Sequence, residues 1–319
     1  MNPTVRRVII LGTPAVLGIL DLFHPTFSGD VFDAVSPRLN WWITLHFLQL
    51  PLFCLLALSV YLLLDGVHGM VATLSKVALG IFVIFYPALD AILGIGTGAL
   101  VSYGQGMAGL PQILTASAIE NSFSSSIVLL VGVLGSFGWV IAILLAVLAL
   151  SRPIQSRWFV IVTLVLAALA ISYYQLVRIN LIPEILPIDN LSRLVLLLAI
   201  ALGLLVRPRL AAGLLVMAAY LFSVDHAPPT GPIAMACYFV AALQLEFSRE
   251  NAPLVKQDVA PVEKDVLPAN EDVVSAEDVV PAEENATTTE KDAIPAEQDL
   301  ISAEQDAVPV EQDVVPDPS

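Results

Sequence analysis

The chain consists of a long apolar part followed by a strongly acidic part. Its first 247 residues are apolar and charge-balanced, with 10 Lys and Arg against 10 Asp and Glu, whereas residues 248–319 contain 4 against 19. The formal charge of −15 therefore belongs to the tail. Because long apolar stretches are stable in lipid and strongly acidic stretches in water, the sequence predicts a membrane domain over 1–247 and an aqueous tail over 248–319.

The composition excludes a soluble globular protein and favours an all-α bundle of transmembrane helices. Hydrophobic residues make up 57% of the chain and charged residues only 13%. Segments such as 41–64 and 126–150 have almost no polar side, whereas a helix on the surface of a soluble domain keeps one polar face. Such helices are surrounded by lipid or by one another.

Eight apolar segments are the predicted spans. They lie at about residues 8–23, 41–64, 77–101, 126–150, 158–177, 191–206, 210–224 and 231–247. A span needs roughly 17 to 25 residues, so the sixth and seventh are either thin spans or one hairpin that does not fully cross. Arg6 and Arg7 before the first apolar segment also resemble the start of a signal peptide, whose cleavage would leave seven spans.

Basic residues predict the orientation, because Lys and Arg accumulate in cytoplasmic loops. With the N-terminus inside, eight basic residues fall in inner connections and three in outer ones. The inner ones are Arg6, Arg7, Lys76, Arg152, Arg157, Arg207, Arg209 and Arg249, and the outer ones are Arg38, Arg178 and Arg193. We expect a multi-pass plasma-membrane protein with both termini cytoplasmic, and a long outer loop over 104–125.

Several residues have the positions expected of helix packing and of interfacial anchoring. Gly94 and Gly98 form a small-x-x-x-small pair in the third segment, which lets neighbouring backbones approach closely. Trp41, Trp42 and Trp158 stand at segment ends, where tryptophan anchors helices at the membrane interface.

The tail repeats a unit of about seven residues, such as QDVAPVE and QDAVPVE. Proline recurs within the unit and breaks helices, which excludes a coiled coil. With no aromatic residue and a high negative charge, the tail is predicted to be disordered and extended. It either provides many weak sites for a basic protein partner or cations, or serves only as a solvated extension.

Ionisable residues at membrane depth are costly and therefore mark candidate sites. Asp90 lies in the apolar stretch FYPALDAILGIG, and His46 on the preceding antiparallel segment is its expected partner. This pair either fixes helix packing or takes part in a transport or proton path.

A second set of polar residues is predicted near the outer side of the membrane. It contains Asp21, His24, His46, Asp225 and His226. Three imidazoles and nearby carboxylates are able to ligate zinc or another divalent ion, or to relay protons, although loop and capping roles explain several of them equally well. Zinc-dependent multi-pass hydrolases of the ceramidase and adiponectin-receptor type are the nearest enzymatic comparison, but this chain lacks an H-x-x-x-H pair on a late helix.

Other classes of protein find no support in the sequence. It contains no nucleotide-binding loop, dinucleotide fingerprint or basic aromatic patch, so we expect neither a nucleotide cofactor nor a nucleic-acid partner. The stretch from Leu17 to Val101, with LFHP, WWITLHFLQLP and FYPALDAILGIGTG, resembles uncharacterised multi-pass bacterial membrane proteins. The resemblance implies a bacterial plasma membrane and brings no activity with it.

Three functions follow from these observations. We expect a non-enzymatic membrane protein without a cofactor, either a small-solute or ion-handling bundle or a structural and sensory one. The first alternative is a metal-dependent membrane hydrolase with an outer-face His/Asp site. The second is a membrane anchor that displays the acidic tail.

Overall fold

A computed structural model describes residues 1–26, 30–153, 157–178, 183, 187–207 and 209–250 of the chain. The chain divides into two units, Met1–Asp258 and Val259–Ser319, and all described helices belong to the first. Residues 251–319, which include almost all of the predicted disordered tail, lie outside the described part.

The described residues are almost entirely helical. The α-helices are α1 (Pro3–Arg7), α2 (Thr13–Leu22), α3 (Val31–Val35), α4 (Leu39–Leu63), α5 (Met70–Asp90), α6 (Thr97–Gln105), α7 (Leu110–Ser124), α8 (Ser126–Leu150), α9 (Arg157–Arg178), α10 (Ile188–Leu205), α11 (Arg209–Val224) and α12 (Thr230–Glu250). Two π-helical stretches, Val8–Gly12 and Ala91–Gly96, join α1 to α2 and α5 to α6, and a 3₁₀ turn at Ser36–Arg38 precedes α4.

Local sequence signals explain several helix starts. The side chain of Asn2 accepts a hydrogen bond from the backbone N–H of Thr4, and Asp30 does the same for Phe32. These are N-cap bonds that satisfy backbone donors left free in the first turn. Gly69 and Gly109 precede α5 and α7 with φ of 114° and 74°, conformations that side chains other than glycine rarely adopt.

The apolar helices indicate a membrane-embedded protein. Within the part of the chain that the structure describes, five helical stretches are long and apolar enough to cross a bilayer, namely Val31–Leu63, Met70–Gln105, Ser126–Leu150, Arg157–Val177 and Thr230–Arg249. Two further apolar helices, Asn190–Leu204 and Leu210–Val224, are shorter, as the sequence predicted for the sixth and seventh segments. The count of eight spans remains a prediction.

The third segment and the connection after it differ from the expectation. Helix continues from Met70 through the π-helical stretch to Gln105, well beyond the predicted end at 101. The predicted outer connection over 104–125 contains a helix, Leu110–Ser124. Ile119 of α7 is fully buried with Phe32 and Val101, so a small apolar core stabilises this helix against α3 and α6.

Glycines allow α5 and α8 to pack closely as antiparallel neighbours. A Cβ atom on Gly138 would stand 2.7 Å from the backbone nitrogen of Phe82, and one on Gly135 would stand 2.9 Å from that of Tyr86. The Ser75 hydroxyl donates a 2.7 Å hydrogen bond to the carbonyl of Ala142. In lipid, where apolar burial gives little net drive between helices, such contacts hold the pair together.

An aromatic cluster fills the centre of the bundle. Its members are Phe53, Phe82, Tyr86, Trp139, Phe222 and Tyr238, with ring centroids of neighbouring pairs 4.9 to 6.1 Å apart. These side chains come from α4, α5, α8, α11 and α12, so the cluster joins distant parts of the chain. Aromatic pairs at these separations add stability beyond simple area burial.

One end of the bundle, here called the Arg end, is held by two arginines. Arg6 pairs with Glu246 and donates a 2.9 Å hydrogen bond to the carbonyl of Leu62. Arg249 donates to the carbonyl of Asp65. The chain start, the α4–α5 connection and the last turns of α12 therefore lie together.

Two connections pair as a minimal β-ribbon. Strand β1 (Arg152–Pro153) runs antiparallel to β2 (Val206–Arg207), with Arg152 opposite Arg207. These are two of the connections that the distribution of basic residues assigns to one side of the membrane.

Candidate functional site

The opposite end of the bundle, here called the His end, contains a cavity of about 550 Å³. Its lining includes His24, Trp42, His46, Tyr86, Asp90, Asp225 and His226. Three of the four histidines of the chain and two carboxylates thus meet in one space, although they are distant in sequence. The fourth histidine, His68, is exposed in the α4–α5 connection at the Arg end.

His46 and Asp90 form the central pair of the cavity. The His46 Nδ1 atom lies 3.0 Å from Asp90 Oδ1, and both side chains are at least 96% buried. Helix α5 ends at Asp90, and the π-helical stretch Ala91–Gly96 follows directly. π-Helical turns are rare and occur frequently at functional sites, where they reorient side chains.

Gly94 makes room for the His46 ring. A Cβ atom at this position would overlap the imidazole, so only glycine permits the observed contact between α4 and the π-helical stretch. The indole Nε1 of Trp42 donates a 2.7 Å hydrogen bond to the Gly94 carbonyl. Trp42 is 3% exposed, so the expectation of an interfacial anchor is wrong for this residue: a backbone acceptor inside the bundle satisfies its N–H.

His24 follows the first helical segment and packs against the other rings. Its ring centroid lies 5.4 Å from that of Trp42, 5.3 Å from that of His46 and 5.0 Å from that of His226. Its Nδ1 atom stands 3.0 Å from the carbonyl oxygen of Pro25. Burial, reinforced by the neighbouring His226 and His46 imidazoles, lowers the pKa of His24 to about 3, so the ring is neutral at physiological pH.

His226 lies in the connection between α11 and α12 and reaches the pair from the other side. Its Nδ1 atom is 3.3 Å from the Tyr86 hydroxyl, and its Nε2 atom is 3.9 Å from Asp90 Oδ1. Asp225 Oδ1 accepts a 3.0 Å hydrogen bond from the backbone N–H of Ala227 and lies 3.9 Å from His226 Nδ1. Asp225 therefore shapes the connection as well as lining the cavity.

Asp21 occupies a different position from the other predicted residues. Its Oδ1 atom accepts a 3.0 Å hydrogen bond from Gln49 Nε2, which joins α2 to α4. Both side chains are fully buried, and neither lines the cavity. The structure thus brings together His24, His46, Asp90, Asp225 and His226, and leaves Asp21 in a separate interhelical pair.

Several buried polar atoms of the cavity residues have no hydrogen-bond partner within the described ranges. They are His24 Nε2, His46 Nε2 and Asp90 Oδ2. Buried polar atoms of native proteins are usually satisfied, so three such atoms around one space indicate a place for a polar guest. Among the described residues, no three His, Cys, Asp or Glu side chains already stand in metal-ligand geometry.

Sequence reasoning missed Trp42, Tyr86 and Gly94 as parts of this site. The signal for Gly94 was present, since a glycine four residues after a buried carboxylate permits close approach of another side chain. Tyr86 is four residues before Asp90 on α5 and so shares a helix face with it. Trp42 is likewise four residues before His46 on α4.

Comparison with family models, with curated proteins and with solved structures finds no match for this chain. The geometry of the site is therefore the basis for assigning a function.

Proposed function

We propose that this chain is a non-enzymatic multi-pass membrane protein that handles a small cation, a proton or a metal ion, in the His-end cavity. The observation that carries the proposal is the group of three buried, unpartnered polar atoms in the described part of the cavity, on His24, His46 and Asp90. Two imidazoles and a carboxylate attract cations and bind protons, and such groups are expensive at membrane depth unless they serve a purpose.

The proposal includes the predicted topology. The helices form eight spans of a bacterial plasma membrane, with the Arg end and both termini in the cytoplasm and the His end facing outwards. Pairing of β1 with β2 supports this arrangement, because it joins two connections that are both assigned to the inner side. The acidic tail then extends into the cytoplasm as a disordered chain, repelled by anionic lipid and available to a basic partner or to cations.

Cation flux into liposomes tests the proposal. The full chain is reconstituted with either a pH-sensitive or a Zn²⁺-sensitive dye inside, and flux is driven by a potassium diffusion potential, with and without external Zn²⁺. We expect wild-type flux of protons or Zn²⁺ and its loss in Asp90→Asn, because the amide keeps the shape of the carboxylate but not its charge. Asp33→Asn removes an exposed carboxylate of α3 outside the cavity and is the matched control.

Two results would contradict the proposal. One is the absence of proton and Zn²⁺ flux in wild-type liposomes in which the protein is monodisperse and inserted. The other is wild-type flux in Asp90→Asn, which would leave the His46–Asp90 contact a packing feature.

Both alternatives make different predictions in the same system. A metal-dependent hydrolase would use the same His/Asp cavity to activate water, and it would turn over a substrate without moving ions. A membrane anchor for the tail would lose its cellular function when residues 253–319 are deleted, while flux in liposomes would not depend on them.

A further inference from the structure

The hydrogen bonds of the cavity set the tautomers of two histidines. The Pro25 carbonyl can only accept a hydrogen bond, so the Nδ1 atom of His24, 3.0 Å away, carries the proton. The Asp90 carboxylate likewise accepts from Nδ1 of His46 at 3.0 Å. With Nδ1 as the donor, the metal-binding lone pair of each imidazole is the one on Nε2, and both Nε2 atoms are buried without a hydrogen-bond partner among the described residues.

This arrangement is the one that metal-binding histidines adopt. A ligating imidazole usually donates its other N–H to a backbone carbonyl or a carboxylate, which fixes the ring and raises the basicity of the ligating nitrogen. His24 has the carbonyl version and His46 has the carboxylate version. In a pair of histidines that only fixed helix packing, we would expect each Nε2 atom to accept a hydrogen bond as well.

The spacing of the rings suits a shared ion. Two imidazoles on one tetrahedral zinc ion, each with a Zn–N bond of about 2 Å, have ring centroids about 5 Å apart. The centroids of His24 and His46 are 5.3 Å apart, and those of His24 and His226 are 5.0 Å apart. Because no three described side chains already stand in ligand geometry, binding requires rotation of the side chains within the cavity.

We propose that the His-end cavity binds one divalent transition-metal ion of the zinc class, with Nε2 of His24 and Nε2 of His46 as its nitrogen ligands. Asp90 orients the His46 ring through its Nδ1 proton and lies outside the ligand shell, and the imidazole of His226, with its centroid 5.0 Å from that of His24, is placed to supply a third nitrogen. Imidazole nitrogen selects zinc, cobalt, nickel or copper over magnesium and calcium, which prefer oxygen. The inference rests on the proposed function in that it names the cation the cavity handles.

Cobalt binding to the metal-stripped full chain in detergent tests the site. Co²⁺ is titrated while visible absorption is recorded, and Zn²⁺ is then added as a competitor. We expect one Co²⁺ per chain, with the intense bands of a tetrahedral site, and displacement by one equivalent of Zn²⁺. His24→Gln and His46→Gln should each weaken binding at least 10-fold, because each removes a nitrogen ligand.

His68→Gln is the matched control, since it removes the exposed histidine at the Arg end and should leave Co²⁺ affinity unchanged. Size-exclusion profiles show whether the variants remain folded. X-ray absorption of the zinc-loaded wild type gives a readout that needs no variant: we expect scattering from at least two imidazoles. Three results would overturn the site. They are the absence of saturable Co²⁺ binding, wild-type Co²⁺ affinity in His24→Gln and His46→Gln, and a zinc coordination shell made of oxygen atoms alone.

The two proposals fail separately. Proton flux that depends on Asp90, in a protein that binds no Co²⁺ or Zn²⁺, would overturn the metal site and support cation handling. Stoichiometric Zn²⁺ bound through His24 and His46, in a protein without flux, would support the metal site and contradict transport.

Discussion

Gly94 has the most demanding position of any residue in the site. Its carbonyl accepts a hydrogen bond from Trp42, and its lack of a side chain leaves room for the His46 ring. Gly94 therefore connects α4 to the π-helical stretch in two ways. A larger residue there would push the imidazole off Asp90. The buried pair of His46 and Asp90 therefore depends on the absence of a side chain at position 94.

Gly94→Ala is expected to destabilise the bundle by about 1–3 kcal/mol, because an added methyl group in a packed interior forces its neighbours to move. Thermal unfolding in detergent measures the effect. Gly80→Ala is the control, since a Cβ atom at this position of α5 meets no atom within 4 Å, and alanine is a better helix former than glycine. Equal unfolding temperatures for the two variants would show that the His46 ring moves aside freely.

At the scale of elements, the pairing of α5 with α8 holds the helix that carries Asp90 in place. Gly135 and Gly138 bring the backbone of α8 close to that of α5, and Asp90 ends the helix that this contact holds. The third segment was predicted to be one apolar span over 77–101. In the structure it is an α-helix, a π-helical stretch and a second α-helix, and this sequence of elements places Asp90 and Gly94 towards α4.

Gly138→Ala tests the helix pair. Its Cβ atom would stand 2.7 Å from the backbone nitrogen of Phe82, which cannot rotate away, so we expect destabilisation of about 1–3 kcal/mol. Gly132→Ala is the graded control, because the nearest atoms at 3.3 Å belong to the flexible side chain of Leu89. Thermal unfolding compares the two. A larger loss in Gly132→Ala would contradict the packing described for α5 and α8.

At the scale of the whole molecule, the two ends of the bundle differ in chemistry. The Arg end holds its segments by arginine contacts to a carboxylate and to backbone carbonyls, whereas the His end encloses buried, unpartnered polar atoms among the described residues. His46 and Leu62 lie near opposite ends of α4, about 24 Å apart along its axis at 1.5 Å per residue. A guest at the His end is thus remote from the arginine contacts.

Cysteine labelling tests which end faces outwards. The two native cysteines are replaced in Cys54→Ala and Cys237→Ala, and a single cysteine is introduced at an exposed aspartate of either end, as Asp33→Cys or Asp65→Cys. In intact cells a membrane-impermeant maleimide should label Asp33→Cys, and it should label Asp65→Cys only after permeabilisation. The reverse pattern would invert the proposed orientation.

Local properties of the chain were sufficient for the membrane character and for most helix positions. Apolar length, charge and helix-breaking residues act over one or two turns, so they can be read from neighbouring residues. The apolar pattern identified 104–125 only as a connection between spans and gave no sign of its helix. Contact of Ile119 with Phe32 and Val101 stabilises a helix there. A local pattern cannot predict this contact, because Phe32 is distant in sequence.

The site depended on long-range packing. Acidic and imidazole residues within apolar segments predicted that polar groups lie at membrane depth and that His46 is the partner to expect for Asp90. Only the folded chain brings His24, Asp90 and His226 around one cavity while pairing Asp21 with Gln49 instead. Contacts between residues up to about two hundred positions apart depend on how helices cross, and the period of a single helix does not specify this crossing.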